Sequence, residues 1–173
     1  MTLFCFLALT TTSAWGVPTP EAYDKVVDLA DRMYLYQEDL DSAVMLHAAG
    51  AGLADRVHWL IVRREDNEVL FSHGNGDVLG RVSAENLAAL PDALRAAETL
   101  VLESAYDVGG VDVRLQLLSG MTDALDRYSR VLAGQQLQRF ETRLKGTMVG
   151  VGAHLTLVDD ELAVKSVLPG APA

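Results

Sequence analysis

The chain has 173 residues, of which 50% are hydrophobic, 22% charged and only 6% aromatic. That is globular composition, too apolar for a disordered tail, and the length allows one domain, or one and a fragment. Its 14 Lys and Arg against 24 Asp and Glu give a net charge of −10 with no basic run of five or more, so the electrostatic footprint of a nucleic-acid binder is missing.

The first element is an apolar run, Leu3-Phe4-Cys5-Phe6-Leu7-Ala8-Leu9, followed by Thr and Ser and then Ala14-Trp15-Gly16. Small residues at 14 and 16 fit the small-x-small rule of signal-peptidase cleavage, so residues 1–16 read as a signal peptide. The expectation is an exported protein, periplasmic or extracellular, in a bacterial cell envelope. The run departs from the usual signal in having no Lys or Arg before it; its structural alternative is a buried N-terminal strand. Its seven residues fall far short of the roughly 20 that span a bilayer, and no later segment reads as an integral membrane span. Cys5 is the only cysteine and would leave with the signal peptide, taking thiol and disulfide chemistry with it.

Residues 17–145 read as a mainly helical domain. Thr19 can cap a helix that has Pro20 at its first position and Glu21 at the positive end of its dipole. Tyr23, Val26, Val27, Ala30 and Tyr34 then recur at three- and four-residue spacing as one buried stripe. Asp41 or Ser42 can cap a second helix, Ala43 to about Asp55, whose small residues Ala48, Ala49, Gly50, Ala51 and Gly52 allow close helix packing. No strand leads into them and no Lys-Ser/Thr comes after them, so they do not make a phosphate loop.

From Val57 the period changes. Short β-prone runs at Val57–Arg63, Glu68–Ser72 and Asp77–Val82 are separated by Glu65-Asp66-Asn67 and Gly74-Asn75-Gly76, which predicts a small antiparallel meander over about 57–82. Ser83 is expected to cap a return to helix, divided by Pro91 into Ala84–Leu90 and Pro91–Tyr106. After Gly109-Gly110 a further helix is predicted from about Val111 to Leu125, with Val113, Leu117, Leu118, Met121 and Leu125 on one side. Gln135–Leu144 makes another, ended by Lys145-Gly146. Then Met148–Val158 and Leu162–Leu168 read as two strands around the acidic turn Asp159-Asp160-Glu161. Two strands without closure are not independently stable, so residues 146–173 read as the beginning of a domain cut short.

Two stretches resemble a known family. Leu117-Leu118-Ser119-Gly120-Met121-Thr122-Asp123-Ala124-Leu125-Asp126-Arg127-Tyr128-Ser129 resembles the helix that precedes the PDZ domain in carboxyl-terminal processing (tail-specific) serine proteases. That helix carries Gly-Met and ends in Leu-Asp-x-Tyr/His-Ser, with Pro usual where this chain has Arg127. Arg130-Val131-Leu132 and the helix bearing Phe140 match in kind. Gly146-Thr147-Met148-Val149-Gly150-Val151-Gly152 is similar to the family's carboxylate-binding loop. Val164-Lys165-Ser166-Val167-Leu168-Pro169-Gly170-Ala171-Pro172-Ala173 resembles its next strand and Pro-Gly-Ser-Pro-Ala exit. The likeness covers about Val111–Ala173 well and Tyr23–Leu53 more loosely; Val57–Tyr106 departs from the family pattern as an insertion.

The fold class expected is therefore α+β: a mainly helical N-terminal region with a small antiparallel meander, followed by the first strands of a PDZ domain. The candidate site is Gly150, Val151, Gly152 and Ala153. Glycines at 150 and 152 let successive N–H groups converge on an anion, and the strand from Ala153 presents an edge to which an extended peptide can pair. The resemblance implies C-terminal tails of protein substrates as partners, and a Ser nucleophile with a Lys base in a domain located after the PDZ. No residue here matches those catalytic motifs, Ser129, Lys145 and Lys165 included. The chain by itself thus carries no catalytic residues, and a non-catalytic peptide-binding adaptor is the alternative reading.

No cofactor or metal is expected. His47, His58, His73 and His154 have no i,i+4 pair and no acidic partner at ligand spacing, and Asp159-Asp160-Glu161 lacks the spaced oxygens of a calcium loop. Ser72-His73 with Asp123 or Asp126 is no evidence of a triad, since neighbours in sequence need not meet in space. Oligomeric state is left open by the sequence.

Overall fold

The computed structural model describes residues 6–8, 18–126, 128–144, 152–158, 161–167 and 170, in two compact units, residues 1–137 and 138–173. Among the described residues the architecture is α+β: five α-helices, a three-stranded antiparallel sheet and two two-stranded sheets.

In the first unit, helix α1 (Ala22–Met33) buries Tyr23, Val26, Val27 and Ala30, the predicted stripe. Tyr34, expected on that stripe, caps the helix in an extended conformation and donates its hydroxyl to the Leu125 carbonyl at 2.6 Å. Helix α2 (Ser42–Ala54) starts where Asp41 accepts from the amides of Ala43 and Val44 at 2.8 and 3.1 Å, satisfying two of the orphan donors of its first turn. It is apolar on nearly every side, as a central helix must be, and packs against α4, the sheet and α3.

The meander forms as β2 (Leu60–Glu65), β3 (Glu68–His73) and β4 (Val78–Ser83). Asp66 takes a positive φ of 54° in the turn between β2 and β3. Val69, Leu70 and Phe71 are buried in succession on the middle strand. Beyond β4 the expected cap fails. Ser83 ends the strand, Ala84–Leu90 is not an α-helix, and Asn86 caps a single 3-10 turn at Leu87–Ala89 by accepting from the Ala89 amide at 3.0 Å. The physical reason is the ladder itself: Ser83 is paired with Glu68 and cannot leave the sheet. Pro91 lies in the first turn of α3 (Leu90–Leu102), where its missing N–H costs nothing.

Helix α4 (Val113–Asp123) is capped by Asp112, which accepts from Leu115 at 3.0 Å, and buries Val113, Leu117, Leu118 and Met121. Strand β5 (Arg130–Leu132) comes next, and β1 (Phe6–Ala8), within the apolar N-terminal run, pairs with it in parallel. Cleavage after residue 16 would remove that strand. Helix α5 (Gly134–Leu144) runs across the division between the units.

One buried polar network ties the helices. Glu98 of α3, 8% exposed, accepts from Arg114 Nε at 3.1 Å and Nη2 at 2.7 Å and from the Tyr23 hydroxyl at 3.1 Å. Arg114 also donates to the Pro18 carbonyl at 2.8 Å. Burial first, and then the Glu98 carboxylate, push the Tyr23 hydroxyl's pKa far above the ordinary tyrosine range.

Helices α2 and α4 meet at two glycines. A Cβ on Gly52 would sit 2.7 Å from the Gly120 Cα; one on Gly120 would overlap the Ala48 carbonyl oxygen and stand 3.0 Å from that of Ala49. These are backbone atoms and cannot swing aside. Helix propensity alone favours Ala over Gly by about 1 kcal/mol. Gly120→Ala is expected nevertheless to lower stability by about 1–3 kcal/mol, the scale of core overpacking. Gly74→Ala, where the nearest atom would be 3.7 Å away, should stay within about 0.5 kcal/mol of the parent. Urea unfolding of both variants checks this; equal midpoints would remove the crossing as a constraint.

Candidate functional site

In the second unit, β6 (Ala153–Val158) and β7 (Glu161–Val167) form an antiparallel hairpin. The register runs from Ala153 opposite Val167 to Val158 opposite Glu161, with a bulge that leaves Lys165 as the extra residue. β6 begins later than Met148, and the stretch before it, including Gly150 and Val151, lies outside the described residues. Of the four candidate residues, Gly152 and Ala153 are described. Gly152 has φ +77°, in the left-handed region, and Ala153 is the first residue of β6. Among the described residues β6 has no second partner strand. Val164 and Val167 are 61% and 50% exposed.

The marker ahead of this unit has a definite local structure. The Asp126 carboxylate accepts from the amides of Tyr128 at 2.6 Å and Ser129 at 2.7 Å, an Asx turn that redirects the chain from α4 into β5. Ser129 and Val131 are buried, and Leu125 is held by the Tyr34 hydroxyl. Asp126 is thus spent on the turn. Ser72 donates to the Ile61 carbonyl at 3.3 Å, and His73 Nδ1 accepts the Asn75 amide at 3.0 Å, so Ser72 and His73 do not make a catalytic pair. Among the described residues no group of three His, Cys, Asp or Glu could hold a metal ion, and no helix is long and apolar enough to cross a membrane.

A constellation that the sequence did not flag joins the meander to residues 106–107. The His73 ring stacks on Tyr106 with centroids 3.9 Å apart and on Trp59 at 5.4 Å. The Tyr106 hydroxyl donates to Asp77 Oδ2 at 2.5 Å, Asn75 Nδ2 donates to the same oxygen at 2.9 Å, and Trp59 Nε1 donates to the Asp107 carbonyl at 2.7 Å. These contacts clamp the β3–β4 turn to the α3–α4 connection. Trp59 and Tyr106 stand 47 positions apart in sequence, so no local period could have joined them.

The chain is 28% identical over 106 residues to the Carboxy-terminal processing protease CtpA of Bacillus subtilis (strain 168); the match takes in 60% of this chain and 23% of that protein. The chain thus spans under a quarter of the relative's length in this match, and the relationship to a carboxyl-terminal processing protease is distant. No family profile and no solved structure matches it.

The clamp has a pH window. The Tyr106 hydroxyl first, then the Asn75 amide, hold the Asp77 carboxyl below the usual range; the same bond to Asp77 holds the Tyr106 hydroxyl above its usual value. A lowered carboxyl stabilises the fold above its ordinary pKa and loses that contribution as pH falls through the folded value. A raised phenol contributes below its ordinary pKa and loses it as pH rises through the folded value. The bond between Tyr106 and Asp77 is therefore complete between about pH 4 and pH 10. Tyr106→Phe should move the Asp77 midpoint up toward an ordinary aspartate in a carboxyl NMR titration; an unmoved midpoint would show that the bond does not form.

Proposed function

We propose that this chain supplies the N-terminal helical region and the tail-capturing part of an exported carboxyl-terminal processing serine endopeptidase. In this reading residues 146–173 belong to a PDZ domain, and Gly150, Val151, Gly152 and Ala153 form the nest for a substrate's terminal carboxylate. The single observation that carries the reading is Gly152 at φ +77° directly before β6, whose outer edge has no partner among the described residues. A left-handed residue turns its amide and the next toward a common side, where they suit an anion, and the edge beside it accepts an extended peptide by strand addition. The distant match to a carboxyl-terminal processing protease supports the same reading.

The chemistry divides between the two parts. The N–H groups of Val151, Gly152 and Ala153 bind charge, each bond to a carboxylate contributing roughly 1.5–3 kcal/mol. β6 supplies direction, since pairing along a strand admits the peptide in one register and exposes alternate side chains. Cleavage itself, by a Ser activated by a Lys of lowered pKa, would be performed by residues that match none in this chain.

The test is a titration of the full-length protein with a fluorescent apolar peptide ending in a free carboxylate, and with its C-terminal amide. One lost charge-assisted bond corresponds to at least about a tenfold weaker Kd for the amide. Gly152→Val should weaken the acid form to a similar degree, because a β-branched residue resists positive φ. Equal affinity for acid and amide would show that the loop is only a turn.

Export is part of the proposal and rests on the apolar run with small residues at Ala14 and Gly16. N-terminal sequencing of the product from its native host should begin at Trp15 or Val17. An intact Met1 on a cytoplasmic protein would overturn this part.

A further inference from the structure

Three asparagines occur in the chain, and they differ in the next residue: Asn67 precedes Glu68, Asn86 precedes Leu87, and Asn75 precedes Gly76. An asparagine side chain loses ammonia when the next backbone nitrogen attacks its carbonyl carbon. A glycine in the next position opposes that ring closure least, because it has no Cβ to crowd it. Gly76 has φ +100°, and an added Cβ there would meet nothing within 4 Å, so the turn around it is open to solvent rather than packed.

The clamp contacts arrange the rest. The Asp77 amide donates to Asn75 Oδ1 at 2.9 Å, the oxygen on which negative charge develops during the attack; such a donor stabilises that charge. The nitrogen that must leave, Asn75 Nδ2, is exposed and donates to Asp77 Oδ2 at 2.9 Å and the Tyr106 hydroxyl at 3.4 Å. One contact restrains the reaction: the Gly76 amide donates to the His73 carbonyl at 2.9 Å and must let go before the nitrogen can turn.

We propose that Asn75 is a site of spontaneous deamidation through Gly76, and that the product releases the clamp between the meander and the α3–α4 connection. In the first step a bond forms between the Gly76 nitrogen and Asn75 Cγ, and the Cγ–Nδ2 bond breaks. The proton lost from the Gly76 amide is balanced by the one taken up by the departing nitrogen, which leaves as ammonia. One water then opens the cyclic imide at either carbonyl, giving aspartate or isoaspartate, with nothing oxidised or reduced. The new carboxylate has no hydrogen to donate to Asp77 and stands beside it as a like charge. Isoaspartate also adds a methylene to the backbone between the Cα of residue 75 and the Gly76 nitrogen, which displaces the Gly76 amide from the His73 carbonyl.

The experiment ages the purified full chain at mildly alkaline pH and tracks each asparagine by peptide mass spectrometry that resolves aspartate from isoaspartate. Asn75 should convert at least about tenfold faster than Asn67 or Asn86, whose next residues carry side chains; equal rates would overturn the proposal. The release is read separately. In a Trp15→Phe background Trp59 is the sole tryptophan, since the chain has two. Asn75→Asp should shift Trp59 emission to the red without lowering the helical circular dichroism, and the aged protein should shift in the same direction. An unchanged emission in Asn75→Asp would refute the release.

Discussion

The close approach of α2 and α4 at Gly52 and Gly120 is the constraint on which the first unit depends. Backbone meets backbone there, so the distance between the helices is fixed by main-chain radii rather than by adjustable side chains. With α4 held so near, the opposite side of α2 must fit the sheet just as closely. Gly50 does so, for an added Cβ would meet Val62 at 2.7 Å and Phe71 at 3.2 Å. α2 is therefore gripped on two sides, and its small residues are the consequence. The Gly-Met of the family-like stretch acquires a reason from the same geometry: Gly120 makes the crossing, and Met121 fills the core beside it, fully buried.

Around that crossing the polar network of Tyr23, Glu98 and Arg114 does a different job. A buried ion pair adds little net stability, because desolvation offsets the attraction. Its geometry is nonetheless demanding, since Glu98 receives three donors from two other helices and Arg114 spends another on the Pro18 carbonyl. A sliding of α1 along α3 that an apolar interface would tolerate breaks these bonds and leaves a charge unpaired. The network selects one packing among several of similar apolar burial. On the surface Arg95 repeats the connection more weakly, pairing with Asp24 of α1 and Asp92 of its own helix.

Much of this was legible in the residues and some was not, for reasons of range. The α1 stripe, the Asp41 cap, the three meander strands and the buried side of α4 are local signals carried within one or two turns or along one strand. Their boundaries shifted by a few residues, as at β2, which begins at Leu60 rather than Val57. Ser83 failed as a cap because pairing to a strand outweighed its local preference, and Asn86 then took the role. The parallel pairing of Phe6–Ala8 with Arg130–Leu132, the glycine crossing and the Trp59–His73–Tyr106 stack all join residues tens of positions apart, where no periodicity speaks. At the candidate site Gly152 has a positive φ, a conformation open to many turn glycines, while Gly150 and Val151 lie outside the described residues.

The β6–β7 hairpin carries one more physical implication. An isolated two-stranded hairpin is marginal in water, because it has one ladder and no second layer to bury a face. Val164 and Val167 lie exposed on β7, and Lys165 bulges between them, so these three side chains add no apolar burial to the hairpin. A peptide pairing to the outer edge of β6 adds a third strand and with it a second row of backbone hydrogen bonds. If the proposed pairing occurs, binding would then order the platform as well as the ligand. Part of the interaction energy is consumed in that ordering, which lowers affinity without changing selectivity. Selectivity, in the proposed reading, would stay with the charge-bearing end of the peptide. Strand addition accepts any extended backbone, whereas the carboxylate nest proposed at Gly152 would distinguish a chain terminus from the interior of a chain.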